Sequence, residues 1–177
     1  MTKSEILMQL LGAPDPQGEA SPILGTTRLQ KLLFLIEREE GVHSTEGSDF
    51  DFTAYKFGPV SKDLYDDLAK LENLGFIASE AVAEPSTVER DEYGLSFEGL
   101  MGEEEPTESF EERRYSLTNK GMSWLKKRAF PEHEAVKIKR VKGRYGTLSL
   151  NDLLHYVYSR YPDMTTASEI KERVLGS

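Results

Sequence analysis

The sequence predicts a mainly α-helical fold with a small antiparallel β element, and three observations carry that expectation. Apolar residues recur at i, i+3, i+4 and i+7 in several separate segments. Serine or threonine stands just ahead of most of these segments, where a side-chain oxygen can cap a helix. Two short runs, 76–82 and 113–117, read as strands that return on one another across a long acidic stretch.

The elements follow in order. Thr2-Lys3-Ser4-Glu5 has the form of a capping box, and Ile6, Leu7, Leu10 and Leu11 give one apolar face before Gly12-Ala13-Pro14 stops the helix. After a polar loop, Thr26 or Thr27 is expected to cap a second helix carrying Leu29, Leu32, Leu33 and Ile36, with Gly41 at its end. Phe50, Phe52 and Ala54 alternate with Asp51 and Thr53, the pattern of a short strand. Phe57-Gly58-Pro59 reads as a turn, and Ser61 as the cap of a third helix with Leu64, Leu68 and Leu71 inward and Tyr65 beside them.

Phe76–Val82 and Arg113–Leu117 are the paired strands. Between them, residues at about 83–111 are too long for a tight hairpin and read as mobile, or partly folded around Tyr93, Leu95 and Phe97. Thr118 caps a helix bearing Met122, Trp124 and Leu125. Pro131 suits the first turn of the next, with Ala135, Ile138 and Val141 on one face. Ser149 opens a helix striped by Leu150, Leu153, Leu154, Val157, Tyr158 and Tyr161, and Pro162 ends it. Thr166-Ala167-Ser168-Glu169 is a second capping box, for a last helix with Ile170 and Val174. This order predicts a winged-helix-like core over residues 1–130, acidic wing insert included, and a C-terminal helical extension over 131–177 packed on it.

Composition narrows the function. The chain has 177 residues, 38% hydrophobic and 30% charged, which suits a water-soluble globular protein. No apolar run approaches the roughly 20 residues needed to span a bilayer, so no membrane role is expected. Cysteine is absent, which removes disulfides, thiol nucleophiles and thiolate metal sites, and fits a cytoplasmic location. The net charge of −9 is unevenly spread: residues 80–112 hold twelve acids and one arginine, whereas 120–145 hold nine basic groups and two glutamates. The molecule as a whole repels phosphate, so nucleic-acid contact would have to be local.

His43, His133 and His155 are scattered outside any metal-ligand spacing, and Glu46, Asp49 and Asp51 lack the oxygen pattern of a calcium loop. Gly-x-Ser-x-Gly and the phosphate loop are both missing, and the serine of GLSFEG has the wrong spacing. No catalytic residue, metal or cofactor is therefore expected. Two surfaces remain. Lys126, Lys127, Arg128, Lys137, Lys139, Arg140, Lys142 and Arg144 could meet phosphates non-specifically, with Tyr145 nearby to stack on bases. Asp63, Asp66, Asp67, Glu103, Glu104 and Glu105 could meet a protein partner, as could Tyr156, which falls off the buried stripe. A groove-reading helix needs donors at base edges, and residues 61–74 offer Lys62, Lys70 and Asn73 against four carboxylates.

Three stretches, TTRLQKLLFLIE, AYKFGPVSKDLYDDLAKLENLGFI and RRYSLTNKG, together resemble a family of small prokaryotic winged-helix-type proteins related to the Panacea-domain antitoxins. The closing LLHYVYSRYPDMTTASEI is similar to the tail of uncharacterised members. The resemblance implies a non-enzymatic regulatory or neutralising protein, with the Leu-Gln-Lys helix and the Gly-Pro turn as scaffold. The expected function is thus a protein-interaction module that binds a toxin or regulatory protein. The alternative is a DNA-binding transcriptional regulator that contacts phosphates through 126–144. Homodimerisation through the terminal helices is compatible with both.

Overall fold

The computed structural model describes residues 1–45, 49–82, 113–168 and 171–176. The acidic segment, Glu103, Glu104 and Glu105 included, lies outside the described residues, as do Glu46, Glu169 and Ile170. The second expected capping box is thereby only partly within view.

The fold is mainly α with small antiparallel sheets, as the periodicity predicts. In chain order the elements are α1 (Lys3–Gly12), β1 (Ile23–Leu24), α2 (Thr26–Arg38), β2 (Thr53–Tyr55), β3 (Gly58–Val60), α3 (Asp63–Asn73), β4 (Ile77–Ala81), β5 (Arg113–Leu117), α4 (Asn119–Lys127), α5 (Glu132–Tyr145), α6 (Leu150–Arg160), a 3-10 turn (Pro162–Thr165) and α7 (Lys171–Gly176).

Helix α2 is the axis of the molecule. Leu29, Leu32, Leu33, Phe34, Leu35 and Ile36 are all buried, so its apolar surface wraps the helix rather than striping one side. α5 packs on α1 and α2, α6 packs on α2, and α7 lies on α6. The C-terminal helices therefore complete the same core: Ile138, Val141, Leu153, Leu154, Val157 and Val174 belong to one cluster with α1, α2 and α3.

The three-stranded sheet has the order β1-β5-β4, all antiparallel. Ile23 stands opposite Tyr115, and Ser79 opposite Tyr115 from the other side. Central β5 matches the expected Arg113–Leu117, while its partner is one residue shorter at each end than the expected 76–82. α4 then folds back against the start of β4. A Cβ on Gly121 would stand 2.1 Å from the Phe76 carbonyl oxygen, so only glycine permits the approach.

Caps at Thr2, Thr118 and Ser149 form as the sequence predicts. Thr2 Oγ1 accepts from the Glu5 amide at 3.1 Å while the Glu5 carboxylate accepts from the Thr2 amide at 3.0 Å. Thr118 Oγ1 accepts from the Gly121 amide, and Ser149 Oγ from the Asp152 amide.

Four local expectations are corrected. Gly25, with φ 85°, caps α2; neither threonine does, because the Thr26 hydroxyl is buried 3.0 Å from the Tyr115 hydroxyl. The chain turns at Lys56-Phe57, so Gly58 and Pro59 lie within β3, paired to Tyr55 and Ala54. The strand expected from Phe50 begins only at Thr53. Asp51 takes the left-handed φ of 48°, which breaks the extended run, and the aromatic period reflects Phe50 packing on Phe52 and Phe52 on Phe34. Ser61 does not cap α3: its backbone is held by Gln30, and Lys62 is the N-cap with no side-chain bond.

Candidate interaction surfaces and the buried motif beneath them

The second turn of α2 places Gln30 and Lys31 within the core, both with no exposed surface. Two polar side chains survive there because the chain opposite offers backbone groups that need partners. Gln30 Nε2 donates to the Ser61 carbonyl at 2.9 Å, and the Ser61 amide donates to Gln30 Oε1 at 3.0 Å. Lys31 Nζ donates to the Pro59 carbonyl at 3.0 Å. Burial pushes the Lys31 ammonium down to about 7.

From the other side, α6 lays the Tyr158 ring against Gly58. The glycine has φ 80°, and a Cβ there would stand 2.7 Å from Tyr158 Cε1, so position and conformation both select glycine. The Tyr158 hydroxyl lies 3.0 Å from Ser168 Oγ, which also donates to the Lys56 carbonyl at 3.1 Å. The hairpin β2–β3 is thus held between α2 and α6, and α3 starts three residues after it ends. In the sequence the Leu-Gln-Lys stretch stands out through resemblance alone, whereas the Gly-Pro stretch also reads as a turn. The signal available was a Gln-Lys pair inside an otherwise apolar helix.

α3 turns Leu64, Leu68 and Leu71 into the core. Asp63 and Asp66 are exposed in its first turn, where carboxylates complement the helix dipole, and Asp67 is half-buried. Asp63 Oδ2 sits 3.0 Å from Lys3 Nζ, with just over half of the Asp63 side chain exposed, a geometry that contributes little stability. Lys62, Lys70 and Asn73 are exposed on the same helix, and Leu74 follows with 47% of its surface exposed. Glu72 turns away, accepting from the Ser79 amide at 3.1 Å and from its hydroxyl.

The basic run 126–144 does not form one surface. Helical periodicity sends its members in different directions. Lys142 is buried, its Nζ donating to the carbonyls of Leu11, Ala13 and Ser21 at 3.1, 2.7 and 2.8 Å, and burial pushes it down to about 8. It ties α5 to α1 and is not a surface cation, which corrects the expectation for it. Arg140 pairs with Glu40 at 2.9 Å, Arg144 with Glu39 at 3.5 Å and Arg128 with Glu5 at 2.9 Å. Lys137 Nζ donates to the Glu40 carbonyl at 2.7 Å. Lys126, Lys127 and Lys139 are exposed.

Tyr156 is also not a free surface ring. It is half-buried, 4.9 Å from the Tyr145 ring, and its hydroxyl accepts from Tyr145 while donating to Glu39 Oε2 at 3.1 Å. Tyr145 is itself buried, and its phenol is raised well above the ordinary range, first by burial and then by these partners. Its ring is not available to stack on a base. Among the histidines, His43 Nδ1 lies 2.9 Å from Asp49 Oδ2, while His133 and His155 are exposed. Among the described residues no trio of His, Asp or Glu could hold a metal ion, and no helix is long and apolar enough to cross a membrane.

A family model described as "Antitoxin SocA-like, Panacea domain" matches residues 29–162, well over half of the chain. The match runs from the Leu29-Gln30-Lys31 turn of α2, through the clamped hairpin and α3, to the end of α6. No curated protein matches the chain. The chain belongs to the antitoxin SocA-like, Panacea-domain family.

Proposed function

We propose that this Panacea-domain chain is a non-enzymatic regulatory protein of antitoxin type, acting by binding a protein partner such as a toxin through the acidic face of α3. The observation that carries the reading is the partition of charge. Besides the exposed Lys126, Lys127 and Lys139, the five cations of 126–144 are all engaged within the fold: Arg128, Arg140 and Arg144 with Glu5, Glu40 and Glu39, and Lys137 and Lys142 with carbonyls. Asp66 is exposed, and Asp63, although paired with Lys3, keeps just over half of its side chain exposed.

The order α1, β1, α2, α3, β4, β5, with the β2–β3 hairpin inserted between α2 and α3 and β5 central in the sheet, supports a winged-helix reading of the core. In that arrangement α3 takes the place of a groove-reading helix. Its carboxylates would oppose phosphates, whereas a basic protein surface would attract them. Leu74 at the end of the same helix adds an apolar contact of the kind protein interfaces bury.

Co-purification with the product of an adjacent toxic gene tests the reading. The double variant Asp63→Lys, Asp66→Lys should weaken the complex on the order of tenfold or more and slow its association at low salt. Undiminished binding by the folded double variant would remove α3 as the contact face.

A further inference from the structure

Hairpin β2–β3 and the start of α3 are fastened to the core by a small set of contacts. From α2, Gln30 holds both backbone groups of Ser61 and Lys31 holds the Pro59 carbonyl. From the α6 side, Tyr158 packs on Gly58 and Ser168 holds the Lys56 carbonyl. Among these fastenings, only the one made by Lys31 comes from a basic side chain.

We infer that Lys31 is a positioning residue for the α3 face, its gain or loss of a proton setting how firmly the hairpin and the first turn of α3 are held against α2. The inference rests on the reading of α3 as the partner-facing helix. Pro59 and Ser61 flank Val60, and α3 begins at Asp63, so the Pro59 carbonyl lies on the segment that aims α3 and the Lys31 contact is one of those that hold it.

The physical basis is a charge without a counter-charge. Lys31 is fully buried, an ammonium has three N–H groups to satisfy, and among the described residues no carboxylate forms an ion pair with it. Several ionisable groups on the surrounding elements have partners elsewhere. On its own helix Arg28 donates to the Leu148 carbonyl at 2.5 Å; Lys142 of α5 serves the Leu11, Ala13 and Ser21 carbonyls. Tyr158 of α6 meets Ser168, and Asp63 of α3 meets Lys3 of α1. The hairpin turn itself brings Lys56, a second positive group.

Lifting the hairpin lets water reach Lys31 and restores its ordinary value of 10.5, against about 7 when the hairpin is down. The lifted form therefore binds the proton more tightly. As pH falls from about 10.5 to about 7 the lifted form gains population, and below about 7, where both forms carry the proton, the dependence flattens. Between pH 8.5 and 6.5 the gain is roughly tenfold or more.

Hydrogen exchange on the full chain at pH 6.5 and 8.5, corrected for intrinsic exchange rates, reads this directly. Amides of 53–66 should open roughly tenfold more at pH 6.5, with those of α4 as reference, and Lys31→Met should abolish that difference. Equal opening of 53–66 at both pH values in the wild type, or an unchanged pH dependence in Lys31→Met, would overturn the inference. NMR titration of the wild-type Lys31 ammonium needs no variant: a midpoint near 7 is expected, and one near 10.5 would overturn it as well. Both measurements use the free chain, so a failure of the α3 partner reading leaves their outcome unchanged.

Discussion

Gln30 and Ser61 lie 31 residues apart and exchange two hydrogen bonds, the amide of one closing on the peptide groups of the other with both residues fully buried. The arrangement gives β3 a side-chain amide where a further strand could pair, since among the described residues β3 has only β2 beside it. Gln30→Leu keeps comparable bulk but strands the Ser61 amide and carbonyl. An unsatisfied buried polar group costs about 1–3 kcal/mol, so the variant should lose roughly 2–5 kcal/mol in urea denaturation. A loss under about 0.5 kcal/mol would place these groups in contact with water.

Stability should rise with pH between about 7 and 9.5. Lys31 and Lys142 have an ordinary value of 10.5 in the unfolded chain, and burial holds them near 7 and near 8 in the folded one. Across that window the unfolded chain binds more protons, so each lysine contributes a slope approaching about 1.4 kcal/mol per pH unit. The penalty is complete below about pH 7 for Lys31. Tyr145, raised in the folded state, acts oppositely once free phenols ionise near 10, which sets the upper limit. Urea midpoints at pH 7, 8 and 9 in the wild type and Lys31→Met measure it; parallel profiles would deny the lysine this role.

Leu33, Leu68 and Leu154 come from α2, α3 and α6 and are each at most 5% exposed. Alanine at any one should cost roughly 2–5 kcal/mol by loss of apolar burial and creation of a cavity. The effects should appear in one cooperative transition, because all three belong to a single core cluster. Two separated transitions would mean that the C-terminal helices fold apart from the rest.

How much of this was legible in the sequence follows from the range of each cause. Helices and their caps depend on residues three or four apart, so the Thr2, Thr118 and Ser149 caps and the leucine stripes could be read directly. Thr26 misled because its hydroxyl bonds Tyr115, 89 residues away, in preference to its own helix. Ser61 and Tyr156 misled similarly: partners on Gln30, Tyr145 and Glu39 are tertiary and leave no local pattern. Lys142 looked like one more cation in a basic run. Only the convergence of three carbonyls, from the end of α1 and the loop after it, explains its burial.

Any contact of 126–144 with DNA depends on where the cations of that segment lie. Of the eight basic residues in 126–144, Lys126, Lys127 and Lys139 are exposed, while Arg128, Arg140 and Arg144 are paired with glutamates and Lys137 and Lys142 serve carbonyls. Each phosphate neutralised contributes about −0.9 to the slope of log affinity against log salt. The three exposed lysines of this segment would therefore contribute roughly −3 to the slope, with weak and sequence-independent binding. Fluorescence anisotropy on random and upstream-region duplexes at 50 and 200 mM salt would measure it, these being about the salt limits over which phosphate contacts are read. Lys126→Ala, Lys127→Ala and Lys139→Ala combined should flatten the slope, whereas Lys62→Ala and Asn73→Ala should leave sequence preference unchanged. Base-edge contacts would instead show losses of about 1–3 kcal/mol each. Tight, selective binding abolished by Lys62→Ala would mean that α3 reads DNA with its carboxylates turned aside, and the protein-partner reading of that face would fall with it.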